Sequence, residues 1–293
     1  VKFVTYASAD VPSRVGRLDG DTVLDVGFDG DMVAFIEAGA PLGDEREVPG
    51  ARLLAPLVPR SFRDFLAFEG HLINAYRNLG REVPAEWYEV PVYYRSMGTT
   101  VTGPDTVLPW PSYSRQLDHE LELAAVIGRP CRDVAAADAL DCVFGFTIWN
   151  DMSARDVQRR ELPVGMGPAK AKEWDGSNVL GPCIVTRDEI DLATLELEVR
   201  VNGERWGGDR VSAMHHSFGD LIAYAAQDQT LLPGEVLGSG TATGGSGLEL
   251  DRWIQPGDVI EMEAGPIGVL RNTVGTRSAR PPRTTPIPER KDH

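Results

Sequence analysis

The chain has 293 residues, with 29 Lys and Arg against 44 Asp and Glu, so its formal net charge is −15. That balance argues against nucleic acid and anionic membranes as partners, because both need basic surface, but a small anionic substrate stays open to it through a metal ion and a few local cations. With 42% hydrophobic and 25% charged residues, wholesale disorder is excluded, and one large domain, or one large and one small, is expected.

Residues 1–58 alternate short apolar runs with turn residues and read as a small β-rich N-terminal domain. Strands are expected over 1–6, 13–18 and 22–25, with Asp19-Gly20-Asp21 as a hairpin turn and a helix over 31–38. Pro56 and Pro59 mark its end. From Ser61 the pattern turns helical, with Phe65, Phe68, Leu72 and Tyr76 at helical spacing. Ser61 would cap that helix with Asp64 at its N3 position. Asp64 and His71 would then lie two turns apart near one face. On spacing alone they are a capping residue and a surface histidine. Residues 87–94 read as extended and aromatic.

The stretch 118–128, Asp-His-Glu-Leu-Glu-Leu-Ala-Ala-Val-Ile-Gly, holds a buried strand from Leu121 onward. Strand side chains alternate, so Glu120 and Glu122 share one face and Leu121 and Leu123 the other; His119 points away from the two acids. Two close carboxylates in a low dielectric must take up a proton or share a cation. A hard divalent ion suits such oxygen ligands, and a wet strand face accounts for the pair as well. Residues 145–151 read as a second buried strand ending in Asp151, followed over 152–158 by the first turns of a helix. If the two strands are neighbours, three carboxylates make an oxygen face for Mg²⁺ or Mn²⁺; spacing leaves that open.

A Gly- and Lys-rich loop covers 162–177. Strands follow over 179–185 and 195–201, then the hairpin signal Asn202-Gly203 and a helix over 215–228. Residues 236–239 lead into a glycine-rich loop at 240–247 that lacks both P-loop and Rossmann spacing. Strands over 258–263 and 268–272 precede an Arg- and Pro-rich tail. There is no repeat and no regular βα alternation, so the fold class is α+β, mainly β. Cys131, Cys142 and Cys183 have no zinc-site spacing and read as reduced, buried thiols. No leader-like or membrane-spanning apolar run occurs, and a cytoplasmic location is expected.

Five segments in order, 64–71, 118–128, 150–158, 172–182 and 240–249, with 257–272 as a matching end, resemble the fumarylacetoacetate hydrolase family. The resemblance runs over about 61–272. It implies a mixed β-roll catalytic domain over 59–275, after the N-terminal domain 1–58 and before a tail at 276–293, in a homodimer. It implies Glu120, Glu122 and Asp151 as metal ligands, with Asp64 as the fourth found in fumarylacetoacetases proper. The ion would be Mg²⁺ or Mn²⁺, with Ca²⁺ also allowed. His71 matches the catalytic base and Glu249 the carboxylate that orients it. Arg155, Gln158 and Lys172 match groups that hold the substrate and its developing charge, and Tyr94 and Thr241 match substrate contacts.

The implied activity is metal-dependent hydrolysis of a C–C bond in a small β-diketo acid, in catabolism, through an enolate and a water activated by His71 and Glu249. In that scheme Lys172 and Gln158 stabilise the oxyanion and Arg155 clamps a substrate or ligand carboxylate. The family also contains decarboxylases, tautomerases and isomerases, and sugar-acid dehydratases or lyases, so a decarboxylase, tautomerase or dehydratase is the alternative. A catalytically silent binding protein on this scaffold would have lost its ligands, and all three core carboxylates are present. Two departures bear on the pocket. The chain is shorter than fumarylacetoacetases proper, and Leu66 stands where they carry an aromatic.

Overall fold

The run Leu121–Ile127 is buried at all of its positions. It pairs antiparallel with Val143–Asp151 on one edge and Glu235–Gly238 on the other. A strand paired on both edges and covered on both faces has to be apolar nearly throughout, and this one is. The computed structural model, which describes residues 1–78 and 80–279, builds a 12-stranded mixed sheet around it. Beyond Val143–Asp151 the order is Asn178–Thr186, Lys2–Ala7, Arg14–Asp19, Thr22–Asp25 and Arg46–Glu47. Beyond Glu235–Gly238 come Ser61–Phe65 and the edge strand Tyr93–Ser96. A second sheet of five strands runs Glu204–Gly207, Glu198–Val201, Val259–Glu263, Val269–Arg277 and Val107–Trp110. The fold is α+β and mainly β.

Alternation along the central strand feeds two cores. Leu121, Leu123 and Ala125 join one, and Ala124 and Val126 join the other with Phe62, Trp149 and Val236. Each fully buried Leu or Phe contributes roughly 1.5–3 kcal/mol. The strands at the chain's start continue the same sheet, with Lys2 opposite Val185 and Phe3 opposite Ile184. The helix Met32–Glu37 is capped by Asp31, whose side chain accepts from the Ala34 amide at 2.8 Å.

The helix expected from Ser61 is a strand. Ser61–Phe65 pairs parallel with Glu235–Gly238 and antiparallel with Tyr93–Ser96, and the helix begins only at Glu69, running to Asn78. Phe62 and Phe65 point into opposite cores, as strand residues three apart do. Ser61 caps nothing; its hydroxyl donates to Glu235 at 2.7 Å. Of the stretch 87–94 expected to be extended, the start lies in the 3₁₀ turn Ala85–Tyr88 and the end in the strand Tyr93–Ser96, and the helix near 215–228 spans only Phe218–Ala225. The last strand runs past 275 to Arg277, and the expected tail lies outside the described residues from 280 onward. All three cysteines are free and buried. Among the described residues no helix is long and apolar enough to cross a membrane.

Candidate active site

The antiparallel register sets Leu121 opposite Asn150, and the Asp151 amide donates to the Glu120 carbonyl at 3.1 Å. The carboxylate that ends one strand therefore stands beside the two that begin its neighbour. Asp64 arrives from the other side: Gly238 pairs with both Asp64 and Ala124. Glycine at 238 leaves room, since a Cβ there would lie 2.6 Å from Glu122 Oε2 and 2.5 Å from the Trp149 ring. Asp64, Glu120, Glu122 and Asp151 are all buried, and one oxygen from each lies within 4.8 Å of the others.

Asp64 Oδ1, both Glu122 oxygens and Asp151 Oδ1 are buried with no hydrogen-bond donor among the described residues. Buried acceptors left unpaired are costly. An all-oxygen, acidic cage with unpaired lone pairs is what a hard divalent cation such as Mg²⁺ or Mn²⁺ fits. Two buried cations offset part of the charge. Lys172 Nζ donates to Glu120 and Asp151. Arg155 Nη2 lies 2.6 Å from Glu120 Oε1. Burial works to raise the Glu120 carboxyl, but Arg155 and Lys172 outweigh it and hold it low. Burial, then the charge of neighbouring acids, pushes Asp64 and Glu122 well up. Asp151 is also raised, mainly by burial. Tyr94 donates its hydroxyl to Asp151 at 2.5 Å, and burial next to that carboxylate raises the phenol.

His71 stands at the start of the helix Glu69–Asn78, reached directly from the strand that carries Asp64. Its Nδ1 is 2.9 Å from Glu249 Oε2, a hydrogen-bond length without the alignment of a linear bond. Glu249 is fixed from several sides. Oε1 accepts from the Gly244 amide at 2.8 Å and Asn74 Nδ2 at 3.2 Å, and Oε2 accepts from the Ser246 hydroxyl at 3.1 Å. Burial would raise this carboxyl; the His71 ring and the donors around it outweigh that and lower it.

A cavity of about 670 Å³ opens onto both groups. Asp64, His71, Tyr94, Glu120, Glu122, Arg155, Gln158, Lys172 and Thr241 all line it, as does Leu66. Asp151 and Glu249 sit behind that surface, with side chains 0% and 1% exposed. Lys172, a loop lysine by spacing, is buried. Arg155 spends its donors on protein groups: Asp118 and Glu120, and Gln158 Oε1 at 2.8 Å. It thus clamps carboxylates of the chain itself. His119 is buried away from the cluster against Trp206, and Trp174 donates to the Pro109 carbonyl. His215 and His216 precede their helix and meet the Tyr88 and Trp87 carbonyls. Sequence reasoning passed over Asn74 and Asp118. Each had a signal: Asn74 is one helical turn beyond His71, and Asp118 shares strand parity with Glu120 and Glu122.

The model of the fumarylacetoacetate (FAA) hydrolase C-terminal family matches residues 60–275. An oxaloacetate tautomerase of Bacillus subtilis (strain 168) is 34% identical over 227 residues, covering 76% of this chain and 73% of that protein. The structure of a 5-carboxymethyl-2-hydroxymuconate delta-isomerase from Mycobacterium smegmatis matches with TM-score 0.77 and 31% identity, over 94% of this chain and 99% of that one. A fumarylacetoacetate hydrolase from Exiguobacterium antarcticum matches with TM-score 0.80 and 27% identity, over 94% and 99%. The chain belongs to the fumarylacetoacetate hydrolase family.

Proposed function

We propose that the chain is a divalent-cation-dependent enzyme that moves a proton at the carbon beside the ketone of a small 2-oxo acid, interconverting keto and enol forms. One observation carries this reading: His71, backed by Glu249, lines the same cavity as Asp64, Glu120 and Glu122, with Asp151 of the same carboxylate cluster behind that surface. The tautomerase and isomerase activities named for two of the relatives support it.

Asp64, Glu120, Glu122 and Asp151 would hold the cation, which when bound would polarise the substrate's carbonyl and acidify the adjacent C–H. His71, its ring held by Glu249, takes the proton and returns it. Lys172 and the Gln158 amide donate toward the oxygen where negative charge develops, an interaction worth about 3 kcal/mol per well-placed donor. Thr241 and Tyr94 line the space for the substrate head, and Leu66, Tyr76 and Leu248 wall its tail.

Hydrolytic C–C cleavage of a β-diketo acid is the second reading. A histidine oriented by a carboxylate is also what activates water, and it favours that reading. There His71 would take its proton from water, the hydroxide would add to the distal ketone, and the C–C bond would break to an acid and a 2-oxo acid. One assay separates the two: the protein with Mn²⁺ is given an enol 2-oxo acid and, separately, an acylpyruvate. Accelerated keto–enol exchange with intact acylpyruvate is expected, and His71→Ala should lower the exchange kcat by about 10²–10⁴-fold. Two fragments from acylpyruvate would favour hydrolysis, and neither activity would overturn both.

A further inference from the structure

Asp118 is fully buried at the end of the short strand Leu117–Asp118, two residues before Glu120, yet it is no part of the oxygen cage. Both of its oxygens are occupied. Oδ2 accepts from Arg155 Nε at 2.8 Å and from the Leu248 amide at 3.0 Å. Oδ1 accepts from the Gly247 amide at 2.8 Å and from its neighbour's amide, His119, at 2.9 Å. Arg155 passes the connection to Glu120. Gly247 and Leu248 open the single-turn helix Gly247–Leu250, which presents Glu249 to His71. Helix-opening amides have no partner within their own helix, so Asp118 supplies the acceptors that this turn lacks. The docking is close: a Cβ on Gly247 would lie 2.7 Å from Asp118 Oδ1.

We infer that Asp118 is a positioning residue that sets the His71–Glu249 pair in register with the carboxylate cage, through Arg155 on one side and the Gly247 and Leu248 amides on the other. The inference rests on the function proposed above. Asn cannot replace Asp here, because every group facing the carboxylate is a donor and the Asn amide would add one more.

The test uses the full chain and Mn²⁺ alone, without substrate. Calorimetry establishes that the ion binds, and hydrogen exchange follows the backbone over 244–250. In the wild-type protein the Gly247 and Leu248 amides should exchange slowly, and Mn²⁺ should slow the segment further. In Asp118→Asn the Mn²⁺ dissociation constant should rise about 10-fold, the Mn²⁺-dependent protection should vanish, and kcat should fall about 10–100-fold with little change in KM. Mn²⁺ binding that leaves exchange over 244–250 unchanged in the wild type overturns this inference alone, and needs no variant to fold. Equal Mn²⁺ affinity, protection and kcat in a folded Asp118→Asn would overturn it too. Failure of Mn²⁺ to bind the wild type would instead bring down the proposed function, and this inference with it.

Discussion

Asp64 and Glu122 hold their protons more tightly than ordinary carboxyls, first because they are buried and then because other acids surround them. Cation binding requires those protons to leave. The sign follows. For a carboxyl whose folded pKa is raised, stability is intact below the unfolded value, roughly pH 4, and is lost as pH rises through the folded value. A bound ion removes that loss. The thermal stabilisation given by saturating Mn²⁺ should therefore widen as pH is raised from about 5 to about 8, and a gap that narrows over that range would contradict the assignment. Of these residues, the sequence pattern exposed the Glu120 and Glu122 pair through strand parity and Asp151 through its place at a strand end. It could not expose the burial of Lys172, because the acids that hold it lie far away along the chain.

At the scale of elements, the site depends on how closely strands approach. Gly238 lies between the strands that carry Asp64 and Glu122, and its missing side chain is the space in which Glu122 and Trp149 sit. Gly238→Ala should destabilise the chain by about 1–3 kcal/mol through overpacking, read as a lower urea midpoint, and should weaken Mn²⁺ binding as Glu122 is displaced. Unchanged stability and affinity would show that the neighbours yield without cost. The long apolar strands were legible, because a fully buried strand has few other ways to read. Ser61–Phe65 was not, since Phe65, Phe68, Leu72 and Tyr76 keep helical spacing, a strand buried on both faces shows no period of its own, and the choice was made by pairing with Glu235–Gly238, far along the chain. The nearness of Asp64 and His71 was expected from a shared helix, but it comes from a strand running into a helix.

Across the whole molecule the large sheet joins strands that are far apart in sequence. Lys2–Ala7 lies beside Asn178–Thr186, and Glu235–Gly238 lies between Leu121–Ile127 and Ser61–Phe65. Such an order cannot be read from local patterns, and the resemblance of five ordered segments implied a mixed β-roll without giving the order of its strands. The same resemblance implies a homodimer, for which sedimentation equilibrium should return twice the chain mass, and a single-chain mass would remove it. The central proposal is that four carboxylates, carried on or beside three strands of the large sheet, hold one divalent ion beside His71. Calorimetric titration of the metal-free protein with Mn²⁺, in parallel with Glu122→Gln, tests it most directly. One ion per chain in the wild type, bound at least about 10-fold more weakly by the variant, is the predicted result. No binding at millimolar Mn²⁺, or equal affinity in the two proteins, would contradict it.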